Sequence, residues 1–214
     1  MKLNTEKSNY MVITRKKDTF ATRLKLDSKT VERQTQIRHL GVWLSENMTW
    51  DKNISEICKK AYARIRMLSK LKYVGTNQKD LVLLYSLHIR SITEYCATAF
   101  HSSLTVKQSN KLEAIQKTCL RIILGEDYTS YDAALSSTGL LSLNARREKR
   151  ELSFALKCAK HPTNRSMFPL NPSQDPHNVR KREIFKVNQA KTETYRTSAI
   201  PHLQRRLNLH FVNQ

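Results

Sequence analysis

The sequence is poor in glycine, proline, cysteine and acidic residues. Its 214 residues include 4 glycines, 5 prolines and 4 cysteines, and 18 acidic side chains stand against 38 basic ones. It contains no glycine-rich phosphate-binding loop and neither the GxSxG motif of hydrolases nor the HExxH motif of metalloproteases. No two aspartates are adjacent, so the usual basis of a two-metal site is missing. We therefore expect this chain not to be an enzyme on its own.

The cysteines and histidines show no spacing typical of a metal site. The cysteines at positions 58, 96, 119 and 158 are far apart in the sequence, without a CxxC pair, and none of the 7 histidines stands at ligand spacing from them. Each cysteine falls within an apolar, helix-like pattern. We therefore expect reduced core residues, no metal and no cofactor.

Long apolar segments are missing as well. The N-terminal stretch MKLNTEKSNYMVI is interrupted by polar residues before an apolar core develops, so it resembles neither a signal peptide nor a membrane span. We expect an intracellular protein, in the nucleus or the cytoplasm, that is not secreted and has no membrane partner.

The excess of basic residues is the strongest signal in the composition. The formal net charge is +20 and the pI is near 10.0, which gives a field that attracts polyanions. Nucleic acid is the leading partner class. Basic residues that merely coat exposed helix faces are one alternative, and a basic membrane-surface protein is another. The second is weaker, because no stretch shows the bulky aromatic face of an interfacial helix.

The first fifty residues predict a small antiparallel β region, residues 1–50. Short strand-like runs cover residues 10–14, 23–26 and 36–44. Gly41 lies inside the third run, RHLGVWLSENMTW. Glycine in a strand interior often marks a bulge or the close approach of another backbone or a ligand.

Helical spacing takes over at residue 51 and predicts a mainly α-helical, thumb-like domain over residues 51–161. In the first helix, Ile54, Ala61 and Leu68 share one face, and basic residues lie opposite. A second helix is expected after Gly75, with Thr76 or Asn77 as N-cap, and it runs to residue 100. Its apolar character on all sides predicts the most buried helix of the domain.

Three more helices and a tail complete the prediction. The helices cover about residues 105–125, capped by Thr105 and ended by Gly125, then 131–136 and 144–160. The core is expected to end at His161 and Pro162. Residues 162–214 then predict a basic, largely extended tail, because prolines cluster there, although its last part regains some apolar spacing and could dock back.

Basic side chains on one side of a rigid element are the pattern that binds phosphate backbones. The first helix carries such a stripe, and a second group of basic residues lies in the first half of the last predicted helix. The candidate residues are Lys52, Lys59, Arg66, Lys70, Arg146, Arg147 and Arg150. A solvated, structural face is the alternative for each group, and neither pattern implies reading of base sequence.

Several segments, taken in order, resemble the C-terminal part of reverse transcriptases from non-LTR retrotransposons of the jockey or LINE type. These are LNTEKSNYMVI, RHLGVWLSENMTW, ITEYCATAF, LEAIQKTCLRIILG and the ending RTSAIPHLQRRLN. In that family the first segment follows the catalytic aspartates of the palm, the leucine-glycine element forms the primer-grip hairpin, and the helices form the thumb.

The resemblance implies roles for individual residues. Lys7 would lie near the phosphates of the incoming nucleotide, and His39 and Gly41 would lie beside the primer strand. The catalytic aspartates of the family would precede Met1, and nothing here replaces them. The chain thus resembles a fragment or degenerate copy of such an enzyme, or part of an active protein whose reading frame extends upstream.

We therefore expect an α+β fragment of an RNA-directed DNA polymerase that lacks catalytic aspartates. Its function would be backbone binding of template-primer nucleic acid, RNA or RNA–DNA duplex, with the upstream polymerase domain as a possible partner. The alternative is a helical protein-interaction module with no nucleic-acid function.

Overall fold

Short strands and long helices occupy separate parts of the chain, in the α+β arrangement that the sequence predicts. The computed structural model describes residues 4, 8–14, 23–26, 28–171 and 183–212. The chain divides into two units, Met1–Ile57 and Cys58–Gln214. The sequence predicted three segments instead, with boundaries at residues 50 and 161, and the second of these boundaries does not separate two units.

The described residues of the first unit form three pairs of short strands. Strand β1 (Asn9–Tyr10) pairs in parallel with β4 (Glu32–Arg33), and β2 (Lys25–Leu26) pairs antiparallel with β3 (Lys29–Thr30). The longest pair is the antiparallel hairpin of β5 (Gln36–His39) and β6 (Val42–Ser45). The predicted region was described as antiparallel, and the β1–β4 pair departs from that.

Gly41 lies in the turn of the β5–β6 hairpin and not inside a strand. The register pairs His39 with Val42, so Leu40 and Gly41 form a two-residue loop. Both have positive φ, 45° at Leu40 and 86° at Gly41, as a type I′ hairpin turn requires. The prediction that Gly41 lies inside a strand was therefore wrong. An apolar run with a glycine in it has the same pattern in one continuous strand and in two strands joined by a tight turn.

Helix α1 (Asp51–Tyr73) has the predicted apolar face. Ile54, Ala61 and Leu68 are buried at seven-residue spacing along it. The helix ends in a Schellman motif, in which the Thr76 N–H donates to the Leu71 carbonyl and the Gly75 N–H donates to the Lys72 carbonyl. Gly75 has a φ of 88°, which explains the glycine at this position.

The predicted second helix is interrupted. It comprises α2 (Gln78–Leu84), a π-helical turn (Tyr85–Arg90), α3 (Ser91–Glu94) and, after a break, α4 (Ala97–Phe100). Asn77 is its N-cap, since the Asn77 Oδ1 accepts a hydrogen bond from the Asp80 N–H at 3.0 Å.

Two predictions for this segment were wrong. It is not the most buried helix, because Leu83, Leu87 and Tyr95 are each more than half exposed. Cys96 is exposed in the left-handed backbone conformation of the break and is not a core residue. Of the other cysteines, Cys119 and Cys158 are buried and Cys58 is half-buried.

The next three helices lie close to their predicted positions. Helix α5 (Val106–Leu124) begins at a capping box, in which the Gln108 N–H donates to the Thr105 Oγ1 at 3.2 Å and the Thr105 N–H donates to the Gln108 Oε1 at 3.0 Å. Helices α6 (Tyr131–Thr138) and α7 (Leu143–Lys160) follow. Ser130 and Ser142 cap them through their side-chain oxygens.

The C-terminal part of the chain contributes to the core, although the sequence predicted a largely extended tail. Helices α8 (Glu193–Arg196) and α9 (Ala199–Val212) lie within it. One buried cluster joins α7, α9 and the residues between them: Ala155, Cys158, Phe168, Phe185, Leu203 and Leu207. The core therefore does not end at His161 and Pro162.

Candidate nucleic-acid interface

The outward face of α1 carries a line of basic side chains. Lys59, Arg66 and Lys70 are exposed and are spaced by seven and four residues, which places them on one side of the helix, opposite the buried Ala61 and Leu68. We call Lys59, Arg66 and Lys70 the α1 stripe. From Ile57 to Tyr73 the helix contains 6 basic residues and no acidic residue.

The α1 stripe has no counterions among the described residues. None of the ion pairs in the described part of the chain involves Lys59, Arg66 or Lys70. Lys60 and Arg64, also exposed, are equally absent from those ion pairs and lie to one side of the stripe. Because unpaired cations on one helix face add their fields, the face attracts a polyanion.

Lys72 differs from its neighbours on α1. Its Nζ donates a hydrogen bond of 2.9 Å to the carbonyl of Ile123, near the end of α5. A lysine in this position satisfies one of the free carbonyls of a helix C-terminus and opposes the negative end of its dipole. Lys72 therefore joins two helices and is not assigned to the binding face.

Lys52, the fourth predicted stripe residue, belongs to the first unit and is half-buried. Its Nζ lies 3.3 Å from the Glu56 Oε1 and 5.1 Å from the centre of the Trp43 ring. The Asn53 Oδ1 accepts a hydrogen bond of 3.1 Å from the Trp43 N–H, so the start of α1 holds strand β6. The Lys52 charge is thus shared with a carboxylate and an aromatic face.

The remaining predicted residues of the first unit lie at the hairpin or outside the described residues. His39 is exposed at the end of β5, and Gly41 is in the turn beside it. Leu40, at the tip, is 77% exposed. Lys7 lies outside the described residues. The structure therefore places an exposed histidine next to the exposed tip of a hairpin.

Arg147 does not belong to any external binding face. It is fully buried, and its Nε donates to the His101 Nδ1 at 3.1 Å and its Nη2 to the Ser109 Oγ at 3.0 Å. Burial lowers the pKa of its guanidinium. Its prediction as a nucleic-acid contact was wrong, because a fully buried group cannot reach an external phosphate. Arg147 stands four residues after the buried Leu143, so the apolar periodicity of α7 could have indicated its burial.

Arg146 and Arg150 lie on successive turns of α7 and share one carboxylate, that of Glu94. The Arg146 Nε and Nη2 donate to the two Glu94 oxygens at 2.5 and 3.1 Å, and the Arg150 Nη1 donates to Oε2 at 2.7 Å. Burial works to raise the pKa of the Glu94 carboxyl, and the hydrogen bonds and charges of Arg146 and Arg150, with the charge of Arg90, outweigh it and hold the pKa below its usual value.

Sequence reasoning missed Arg90 and Glu94 in this cluster. Both lie in the apolar second helix, four residues apart, where a charge is out of place on a buried face. The spacing of these two charged residues was the available signal. A sequence alone does not show that the Arg146 and Arg150 side chains of α7 contact Glu94.

Three further features of the described residues concern metal ions, small apolar molecules and membranes. No group of three histidine, cysteine, aspartate or glutamate side chains there could hold a metal ion. An apolar depression of about 90 Å³ in the first unit is lined by residues that include Ile13, Leu44, Met48 and Trp50, with no ionisable side chain. In the same residues, no helix has the length and apolarity needed to cross a membrane.

Comparisons of the chain with protein-family models, with curated proteins and with solved structures gave no match.

Proposed function

We propose that this chain binds double-stranded nucleic acid, RNA or an RNA–DNA duplex, through the phosphate backbone. The observation that carries the proposal is the α1 stripe, with exposed cations in line and no acidic residue from Ile57 to Tyr73. An acid-free basic face retains its full attraction for phosphates, because no local carboxylate competes with them.

The spacing of the cations in the stripe suits binding to a duplex of any base sequence. Along the helix axis, Lys59 and Arg66 are about 10 Å apart and Arg66 and Lys70 about 6 Å apart. A duplex presents one phosphate charge per about 1.7 Å of its axis, so each cation finds a phosphate in many registers. The stripe offers only lysine and arginine on a helix surface. Such contacts position a duplex but do not read bases.

The resemblance to the thumb of a non-LTR reverse transcriptase supports the same proposal. A hairpin followed by a helical region is the order that the resemblance implies, and the β5–β6 hairpin precedes α1 in that order. Under this proposal the chain holds template-primer duplex, and an upstream polymerase domain supplies the aspartates for synthesis. We assign no polymerisation to the chain alone, because its sequence has no adjacent aspartates.

The experiment compares two triple variants of equal charge. Lys59→Gln, Arg66→Gln and Lys70→Gln are combined in one protein, and Lys79→Gln, Lys107→Gln and Lys160→Gln in the control, all at exposed positions. Duplex affinity is measured by fluorescence anisotropy over a salt series. We expect the stripe variant to lose about 3 from the slope of log K against log salt, at about 0.9 per phosphate contact, and the control to lose much less.

Equal losses in the two triple variants would show that binding follows net charge alone and would contradict the assignment of the α1 stripe. Equal melting temperatures of the two variants are the check that both remain folded. Because glutamine keeps the length and much of the helix propensity of lysine, we expect both to pass.

Exposed leucines favour a second candidate function, a helical protein-interaction module. Leu83 and Leu87 lie about one turn apart and are 55% and 58% exposed. If this face binds a protein, Leu83→Gln with Leu87→Gln removes that binding and leaves duplex affinity unchanged. The stripe variant gives the opposite pattern, so the two candidate functions are separable.

A further inference from the structure

Two guanidinium groups donate to one carboxylate in the second unit, and the charge of a third arginine helps to lower the pKa of the same carboxyl. Arg90 comes from the π-helical turn, Glu94 from the end of α3, and Arg146 and Arg150 from α7. Glu94 is only 5% exposed. We call Arg90, Arg146 and Arg150 the arginine cluster. With Glu94 ionised, three positive charges and one negative charge leave the group with a net charge of +2.

Glu94 orients two members of the cluster, Arg146 and Arg150, and leaves N–H donors of both unused. An arginine side chain has five N–H donors in a planar fork. Arg146 uses its Nε and Nη2, and Arg150 uses only its Nη1, so the Arg146 Nη1 and the Arg150 Nε and Nη2 have no partner among the described residues. The Arg150 side chain is 55% exposed, so its free edge reaches solvent.

Arg90 adds a half-buried cation, and its guanidinium makes no hydrogen bond or ion pair with the described residues, since the ion pairs of Glu94 are with Arg146 and Arg150. Burial lowers the pKa of its guanidinium, and the nearby charge of Arg146 lowers it further, against the opposing effect of Glu94. A single carboxylate does not offset three neighbouring cations. A bound anion would relieve the repulsion that remains.

We propose that the arginine cluster is a binding site for one phosphate group of the nucleic-acid backbone, an inference that rests on the proposed function. Phosphate suits the donors, because guanidinium forks bind its oxygens in pairs, and the buried Glu94 carboxylate already fixes the direction of Arg146 and Arg150. Glu94 is a positioning residue, since it acts through Arg146 and Arg150. The site supplies a contact with defined geometry, which the flexible lysines of the α1 stripe do not.

The first arm of the test uses duplex. Arg90→Gln and Arg150→Gln, each alone, are compared with Lys157→Gln, an exposed cation of α7 outside the cluster. Each cluster variant should bind an RNA–DNA duplex about tenfold more weakly at fixed salt and lose about 1 from the salt slope. Lys157→Gln should change the affinity less than threefold. If Arg90→Gln lowers the melting temperature, Arg150→Gln, at a more exposed residue, decides the outcome.

The second arm uses inorganic phosphate alone, added to the full-length chain labelled with ¹⁵N. The arginine side-chain N–H signals of Arg90 and Arg150 should shift and saturate, and that of Arg165, exposed and outside the cluster, should not. Chloride at equal ionic strength controls for general anion effects. A common shift of all arginines overturns the proposal.

The two proposals fail in different ways. If the triple variant of the α1 stripe weakens duplex binding and the cluster variants behave like Lys157→Gln, the cluster proposal is overturned and the proposed function stands. If only the cluster variants weaken duplex binding, the assignment of the α1 stripe fails and the cluster proposal stands. If the wild-type chain binds no duplex, the proposed function fails, and the cluster proposal fails with it even when inorganic phosphate shifts Arg90 and Arg150.

Discussion

At the scale of single residues, the backbone angle φ of Gly41 in the β5–β6 turn changes the explanation for the glycine at this position. Gly41 first raised the expectation of a close approach to a primer strand. Its φ of 86° gives a sufficient local reason, because type I′ turns require positive φ at both central residues. Its neighbour Leu40 adopts a φ of 45°, which costs a residue with a Cβ about 1 kcal/mol.

Substitutions in this turn should therefore act in opposite directions. Gly41→Ala should lower the free energy of unfolding by about 1 kcal/mol, because alanine resists positive φ. Leu40→Asn should raise it by up to about 1 kcal/mol, because asparagine tolerates the left-handed conformation. Both tryptophans of the chain, Trp43 and Trp50, lie in the first unit, so their fluorescence during urea unfolding measures the effect there. A stabilising Gly41→Val would contradict the turn assignment.

His101 makes stability depend on pH. Burial is the main cause that lowers its pKa below 6.5, opposed by the charge of Glu151 and assisted by that of Arg147, while Glu148 and His202 have smaller effects. The unfolded chain then binds a proton more readily than the folded chain. The contribution of His101 to stability is therefore complete above pH 6.5 and is lost as pH falls through the lower, folded pKa.

We expect the free energy of unfolding to fall between pH 7 and pH 5, and to fall less in His101→Asn. Asparagine keeps an acceptor for the Arg147 Nε–H but does not titrate. Urea unfolding at several pH values, followed by circular dichroism at 222 nm, measures the difference between the two proteins. Identical pH profiles would rule out His101 as the titrating group.

At the scale of elements, local sequence signals were sufficient to predict a helix boundary where residues next to that boundary cap the helix. The Thr105 and Gln108 capping box and the Asn77 cap were readable, because each uses groups within three residues. The interruption between Tyr85 and Cys96 was not, since a π-helical turn changes neither the apolar pattern nor the propensity of the run.

Helix α9 shows what long-range contacts add. Its amide side chains bind the backbone of the segment that the sequence predicted to be extended. The Asn208 Oδ1 accepts from the Phe185 N–H and its Nδ2 donates to the Phe185 carbonyl, both at 2.8 Å. Gln204 likewise accepts from the Asn188 N–H and donates to the Met167 carbonyl. These partners are 16 to 37 residues apart, so no local pattern predicts them.

Removal of a buried side chain from α9 should destabilise the second unit. Leu207 is fully buried, and Leu207→Ala should cost about 2–4 kcal/mol through lost burial and the cavity left behind. Leu209→Ala on the same helix is the matched control, since Leu209 is 58% exposed, and it should cost well under 1 kcal/mol. Circular dichroism in urea gives both values. Equal small effects would mean that α9 is not docked as described.

At the scale of the whole molecule, net charge was the most informative property of the sequence. The sequence did not show which of the basic side chains are exposed and which are paired or buried. A net charge of +20 indicates attraction to polyanions but does not assign individual cations. Helical periodicity predicted a basic face on α1, and Lys59, Arg66 and Lys70 are exposed there, whereas Lys52, which was predicted with them, is half-buried. Arg147 turned inward to His101 and Ser109, and Arg146 and Arg150 converged on Glu94, because tertiary packing and not spacing chose their partners.

The most direct test of backbone binding is the salt dependence of duplex affinity for the wild-type chain. Two RNA–DNA duplexes of equal length and unrelated sequence are titrated between about 50 and 200 mM salt, the range over which phosphate contacts weaken. We predict straight lines of log K against log salt with equal slopes of about −3 or steeper, which correspond to three or more phosphate contacts. A flat response, or no binding at the lowest salt, would contradict the account.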